Sequence, residues 1–242
     1  MITLIGTGHV FDISDSIRNI LDDKSPDIIC VELDAQRYNA IMLKKTNPEK
    51  YQEARKKTPF LYKMLGDFQD GIAKQYGVSA GDEMLSAIKY SQEHQLPFAF
   101  IDREARNLFQ RMIKEMSISE KFRLFFSGFA GLFVSKKKVE SEIEKLDRNF
   151  DSYLEQVSDK FPTIKRVLID ERNEFMTKKL LSLTSNYENI VAVMGDGHVP
   201  GIEKMLSEKN VEFNTIRLRD LRKKTDLKAV CASFSVNYKY VE

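Results

Sequence analysis

The chain has 242 residues, of which 42% are hydrophobic and 31% charged, with 38 Lys and Arg against 36 Asp and Glu. That balance excludes a disordered chain or a disulfide-held miniprotein, and a net charge of +2 without a basic, aromatic-interleaved stretch argues against nucleic acid as a partner. A chain of this length buries roughly 70–75% of the surface it exposes when unfolded, so a bound metal would serve chemistry rather than folding.

Short apolar runs bounded by turn residues predict buried strands at 2–5, 28–33, 98–101, 190–194 and 211–218. Helical spacing fills the intervals: 13–21 behind a Ser/Asp capping cluster, 84–90, 164–183, and 202–206 after Pro200. Strands alternating with helices predict an α/β fold with a central, mainly parallel sheet flanked by helices. The interval between the third and fourth strands is read as a long helical insertion over about 104–186 within a single domain spanning 1–242. In that insertion Val139, Ile143, Leu146, Phe150, Tyr153 and Val157 share one helical face. Ahead of them Phe122, Phe125, Phe126, Phe129 and Phe133 crowd around Gly128 and Gly131. A core hairpin, a lid, a homodimer contact and a membrane-touching hairpin are all open readings of this aromatic segment. At the end, Val230, Ala232, Phe234, Val236, Tyr238 and Tyr240 alternate with polar residues, the pattern of a C-terminal edge strand.

Cys30 and Cys231 sit in apolar runs and read as buried thiols in a reducing compartment. The apolar start is too short for a signal segment, and no stretch approaches the ~20 apolar residues of a bilayer span, so a cytoplasmic location without a transmembrane segment is expected.

Two of the three histidines occupy the same local sequence: Gly6-Thr7-Gly8-His9-Val10 and Gly195-Asp196-Gly197-His198-Val199. Each follows an apolar strand and precedes a helix, which places it at the carboxyl end of a strand, where open α/β sheets bind ligands. The segments that follow correspond as well, so a weak internal βαβ duplication is read, and a pseudo-twofold arrangement would bring both imidazoles to one space. Two convergent imidazoles suit a divalent metal such as Mn, Co or Zn. Glu32 closes an otherwise apolar run; a carboxylate there must be paired, hydrogen-bonded or metal-bound, which makes it a third ligand or a general base. Arg37 is placed to hold that carboxylate or a substrate carboxylate, and Asp102-Arg103 repeats the theme after the third strand. His94, at a polar helix end, reads as structural. A dinucleotide site is the competing reading of Gly6-x-Gly8 with Glu32, but Phe11 stands where its third glycine is required.

These residues resemble the TraB/PrgY family: Gly6-Thr7-Gly8-His9-Val10, Pro26-Asp27 through Val31-Glu32-Leu33-Asp34 with Arg37-Tyr38, Ile101-Asp102-Arg103, and residues 195–202. Paired G-x-x-H motifs with a strand-end glutamate are also the pattern of the Tiki proteins, and of a wider set with erythromycin-esterase-like and haem-carrier-like folds. The resemblance implies a metal-dependent, peptidase-like hydrolase in which His9, His198 and Glu32 hold the ion. It further implies that Glu83 and Arg172 line the same cleft as Arg37, Asp102 and Arg103. Many relatives carry a hydrophobic carboxyl-terminal part, and PrgY is linked to countering a peptide pheromone; no such part is expected before Glu242. Two alternatives stand beside this reading: a metal-independent hydrolase with a histidine base, and a non-catalytic protein that binds or sequesters peptides. The partner is a peptide or small-molecule substrate in the catalytic readings.

Overall fold

The computed structural model describes residues 1–8, 13–56, 81–131 and 158–221. The five strands predicted between residues 2 and 218 all form: β1 (Ile2–Thr7), β2 (Ile28–Val31), β3 (Phe98–Phe100), β4 (Ile190–Gly195) and β5 (Phe213–Ile216). They build one parallel sheet in the order β3-β2-β4-β1-β5. The described helices before β3 are α1 (Ser14–Lys24), α2 (Ala35–Thr46), α3 (Pro48–Lys56) and α4 (Asp82–Glu93). After β3 come α5 (Ala105–Glu115), α6 (Ile118–Gly131), α7 (Pro162–Lys165), a π-helical stretch at Arg166–Asp170, and α8 (Glu171–Leu183); α9 (Val199–Glu208) joins β4 to β5. The chain divides into two compact units, one formed by Met1–Arg103 with Phe175–Glu242 and the other by Glu104–Glu174.

In the first unit the three central strands β1, β2 and β4 are buried on both faces, as a parallel sheet between helical layers requires, while the outer strands β3 and β5 are half-buried. Alternate residues serve opposite cores. Ile5, Ile29, Val31, Val191 and Val193 pack with Ile17, Ile20 and Leu21 of α1 and with Met84, Ala87 and Ile88 of α4. Ile2, Leu4, Ile28, Cys30, Ile190, Ala192 and Met194 pack with Met176 and Leu180 of α8 and with Val199, Ile202 and Leu206 of α9. Each fully buried Ile or Leu contributes roughly 1.5–3 kcal/mol. Cys30 is a free thiol in this core, and burial pushes its pKa up to about 12, which leaves it chemically inert.

The sheet order gives the internal duplication a geometric meaning. β1 and β4 are central neighbours, with Thr7 beside Gly195. From β1 the chain crosses over β4 to reach β2, and from β4 it crosses over β1 to reach β5. Right-handed crossovers in opposite directions must use opposite faces, and α1 and α9 do lie in opposite cores. A pseudo-twofold axis therefore runs between β1 and β4, along the strands. Its carboxyl end is the switch point at which open α/β sheets form a crevice.

Local corrections are few. Ile13, not a Ser or Asp, occupies the N-cap of α1 and makes no side-chain cap; Asp15 instead faces the helix dipole from the first turn. The predicted 164–183 helix is broken by the π-helical stretch after Lys165. His94 caps α4, stacked on Tyr90 at 3.9 Å, consistent with a structural role. The Val139–Val157 positions, Phe133, Cys231 and the alternating run 230–240 lie outside the described residues, as do the side chains of Phe125, Phe126 and Phe129.

The second unit has its own small core of Leu108, Met112, Met116 and Val167. Its α6 starts with a capping box: Ser117 Oγ accepts from the Glu120 N–H at 3.2 Å, and Glu120 Oε2 accepts from the Ser117 N–H at 2.9 Å. Glu120 also accepts from the Thr163 N–H at 2.8 Å and the Thr163 hydroxyl at 3.0 Å, which ties α6 to α7. Burial raises the Glu120 carboxyl, but the hydrogen bonds from Ser117 and Thr163 outweigh it and hold its pKa below the ordinary value. A carboxyl depressed on folding adds stability above its unfolded pKa of about 4.3, and that stability is lost as pH falls through the lower folded value. Glu120→Gln is therefore expected to lower the melting temperature near neutral pH and to flatten its decline in acid. Circular-dichroism melts between about pH 6 and pH 3 check this; parallel curves for the two proteins would refute it.

Candidate active site

The carboxyl ends of β3, β2 and β4 carry Asp102, Glu32 and His198, three of the polar residues picked out from the sequence. Glu32 follows β2, and its backbone N–H donates to Val193 O at 3.0 Å, so its position is fixed by the central strand beside it. The carboxylate is buried and bridges to the β4 turn: Oε2 accepts from the Gly195 N–H at 2.6 Å, and Oε1 stands 3.3 Å from His198 Nε2. Gly195 permits this approach, since a Cβ there would stand 3.3 Å from Glu32 Oε2. His198 is buried as well and forms the N-terminal boundary of α9. Glu32 thus meets one of the two motif histidines, His198; His9 lies outside the described residues.

Asp34 caps α2 by accepting from the Gln36 and Arg37 N–H groups at 2.9 and 3.0 Å, and this sets Arg37 in the first turn. The Arg37 guanidinium faces Asp102 rather than Glu32, with Nη1 3.7 Å from Oδ2. Asp102 has a side chain only 1% exposed, and its Oδ1 accepts from the Arg103 N–H at 2.7 Å. The Asp102 N–H in turn donates to Leu33 O at 3.3 Å, which places the end of β3 one strand spacing from the Glu32 segment. Glu83 is buried in the first turn of α4. Arg172 belongs to the Glu104–Glu174 unit, where its Nη1 donates to Leu168 O at 3.2 Å.

One group of positioning residues was not picked out from the sequence. Asp196 takes a two-pronged bond from Arg217, at 2.8 Å from Nε and 2.7 Å from Nη2, and accepts from the Leu218 N–H at 3.0 Å. Its own N–H donates to Thr7 O at 2.8 Å. The Asp196 carboxylate lies over Gly6, where a Cβ would come within 2.1 Å of Oδ1. The β4 turn that carries His198 is therefore latched to both β1 and the end of β5. A signal was present: Arg217 follows β5 as Glu32 follows β2, a charge closing the second strand of each duplicated half.

Among the described residues, no three His, Cys, Asp or Glu side chains converge as a metal site; Glu32 and His198 form a pair. The pair still has the spacing of two ligands of one ion. Ligand atoms about 2.0–2.1 Å from a metal at a tetrahedral angle lie about 3.3–3.4 Å apart. A charge-assisted N–H···O bond is shorter, about 2.7–2.9 Å. An imidazole nitrogen with a carboxylate oxygen is also a donor set that Mn, Co and Zn accept.

The fold is an open parallel α/β sheet, with a buried acid and imidazole meeting at the switch point where sheets of this class form a crevice. Within that class the chain belongs to the TraB/PrgY/gumN family, which matches residues 1–213. It is 32% identical over 230 residues to "Uncharacterized protein MJ1365" of Methanocaldococcus jannaschii, covering 92% of this chain and 57% of that protein. It is 25% identical over 237 residues to the TraB domain-containing proteins of Bos taurus and of Homo sapiens, covering 83% of this chain and 61% of each of theirs. The chain thus spans little more than half the length of these relatives. Among the described residues no helix is long and apolar enough to cross a membrane.

Proposed function

We propose that this protein is a metal-dependent hydrolase of amide bonds, peptidase-like, with His198, Glu32 and His9 as ligands of a divalent ion. The observation that carries the reading is the Glu32–His198 pair, with Oε1 3.3 Å from Nε2 and Oε2 held by the Gly195 N–H. His9 enters as third ligand from the repeated motif that it shares with His198. A divalent ion bound there would polarise the scissile carbonyl and acidify a water molecule.

The chain's own groups supply the rest. Glu32 carries the buried negative charge that attracts the ion, with Oε1 turned toward His198 and Oε2 held by the Gly195 N–H. In the turn after β4, the N–H groups of Gly195, Asp196, His198 and Val199 already donate to Glu32, Thr7 O, Gly195 O and Asp196 O. Among the described residues the Gly197 N–H has no such acceptor, which leaves it to stabilise a developing oxyanion.

Protein purified without chelator is expected to hold about one Mn, Co or Zn per chain by elemental analysis, and His198→Ala to lose it while keeping its circular-dichroism spectrum, because the core does not depend on the metal. Full retention of metal in the His9→Ala/His198→Ala double variant would overturn the assignment. The Glu32–His198 pair also suits a metal-free reading in which Glu32 orients His198 as a general base; hydrolysis of a mixed peptide library that survives chelator would favour it. Binding of the library without turnover would assign a non-catalytic role.

A further inference from the structure

Among the described residues three large apolar side chains stand exposed, and two of them share one helix: Ile118 is 74% exposed and Phe122 60%, with Met1 the third. Ile118 and Phe122 lie four positions apart on α6, hence one turn apart on the same side of it. The other side of α6 is the packed one. Glu120 is buried against Thr163, and Leu124 packs on the core of Leu108, Met112, Met116 and Val167. At about 100° per residue, Glu120 and Leu124 sit opposite Ile118 and Phe122, so the helix turns one face to its own unit and the other to water. The helical repeat of about 3.6 residues carries the line from Ile118 and Phe122 on to positions 125 and 129, both phenylalanine in the sequence.

Cations flank this line. Lys121 and Arg123 are exposed, one to either side of it, and Arg123 Nη1 donates to Lys160 O at 2.7 Å, which brings the Asp159-Lys160 segment to the same rim. Asp159 and Lys160 cancel in charge, and the one acid of α6, Glu120, is buried and spent on Ser117 and Thr163. The rim is therefore positive.

We propose that this face of α6 rests on an anionic lipid surface, with its apolar line at the boundary of headgroups and acyl chains and with Lys121 and Arg123 against the headgroups. An apolar, aromatic line between cations, on a helix whose opposite face is packed, is what a helix lying in the plane of a bilayer surface requires. A second copy of the chain fits this face less well: two such faces packed together would set Lys121 and Arg123 against their own like charges, and α6 has no exposed acid to pair with them. The helix lies on the bilayer and does not cross it, because its 14 residues rise only about 21 Å against a hydrocarbon core of about 30 Å. The face belongs to the Glu104–Glu174 unit, and its test depends on neither metal nor turnover.

The test is co-sedimentation of the whole chain with vesicles of phosphatidylcholine alone and of equal parts phosphatidylcholine and phosphatidylserine. The mixed vesicles are expected to bind at least about tenfold more tightly at low salt, a preference that shrinks as salt is raised. Ile118→Ser/Phe122→Ser should lose most of the binding with an unchanged circular-dichroism spectrum, since both side chains are exposed. Lys121→Glu changes the rim by two charges and should cut the preference for the mixed vesicles at least about threefold. The chain contains no tryptophan, so Phe122→Trp places a single fluorophore on the line, and its emission should move to shorter wavelength when mixed vesicles are added. No binding to either vesicle, equal binding to both, or undiminished binding of Ile118→Ser/Phe122→Ser would overturn the proposal. An unchanged emission spectrum in Phe122→Trp protein that does sediment with the vesicles would place the lipid contact elsewhere and overturn it too. A wild-type dimer by light scattering that Ile118→Ser/Phe122→Ser converts to monomer would give the face to a second copy in place of lipid.

Discussion

Gly6→Ala is expected to destabilise the protein by about 2–4 kcal/mol, an effect larger than most single substitutions produce. Gly6 is not in a left-handed conformation; it must lack a side chain because Asp196 occupies the space. A Cβ at position 6 would lie 2.1 Å from Asp196 Oδ1 and 3.2 Å from Asp196 Cα. The carboxylate cannot swing away cheaply, since Arg217 holds both of its oxygens and the Leu218 N–H holds one of them. Admitting the methyl group means breaking charge-assisted hydrogen bonds worth about 1.5–3 kcal/mol each, or moving the turn that ends in His198. Urea unfolding followed by circular dichroism measures the loss. In the Asp196→Ala background most of the clash is gone, so the added cost of Gly6→Ala should shrink by more than half, a coupling that a double-mutant cycle reads directly. A Gly6→Ala shift below about 0.5 kcal/mol would show that the latch yields freely and does not fix the β4 turn.

The latch also shows which parts of the site were legible in the sequence. Strands buried on both faces appear as unbroken apolar runs, so β1, β2 and β4 stood out, and the repeated G-x-G-H motif marked two of their ends. Glu32 was visible because an ionised acid at the close of an apolar run demands a partner. Its partner could not be named from sequence, since Gly195 lies 163 positions away and is brought near only by β2 pairing with β4. The pairing of Arg37 with Asp102 in place of Glu32 has the same origin: β3 lies on the outer side of β2 and β4 on the inner side. The π-helical stretch and the uncapped start of α1 were missed because backbone hydrogen-bond register leaves little trace in residue type. Arg217 was absorbed into a run read as strand, although its charge at the end of β5 mirrors Glu32 at the end of β2. The duplicated halves thus close on opposite charges, one directed at His198 and the other at the turn that carries it.

Replacing Glu32 by glutamine and by alanine is expected to separate what this residue does for the fold from what it does for the proposed chemistry. Glutamine keeps an oxygen that can accept the Gly195 N–H, now bound by Oε2 at 2.6 Å, so Glu32→Gln should unfold within about 1 kcal/mol of the wild type. Alanine leaves that buried N–H without its acceptor and opens a small void, so Glu32→Ala should lose about 1–3 kcal/mol. The chemistry divides differently. A neutral amide oxygen is a much weaker ligand than a carboxylate and accepts no proton near neutral pH, so both variants should lose metal and turnover together if Glu32 binds the ion. If Glu32 instead takes the proton, Glu32→Gln should retain the metal measured in the wild type and fail in peptide hydrolysis. Elemental analysis, urea unfolding and a peptide-library assay on the two variants therefore give three distinct patterns. Retained metal and turnover in Glu32→Gln, with stability lost only in Glu32→Ala, would make Glu32 a structural acid that braces the β4 turn, and would remove the centrepiece of the hydrolase proposal.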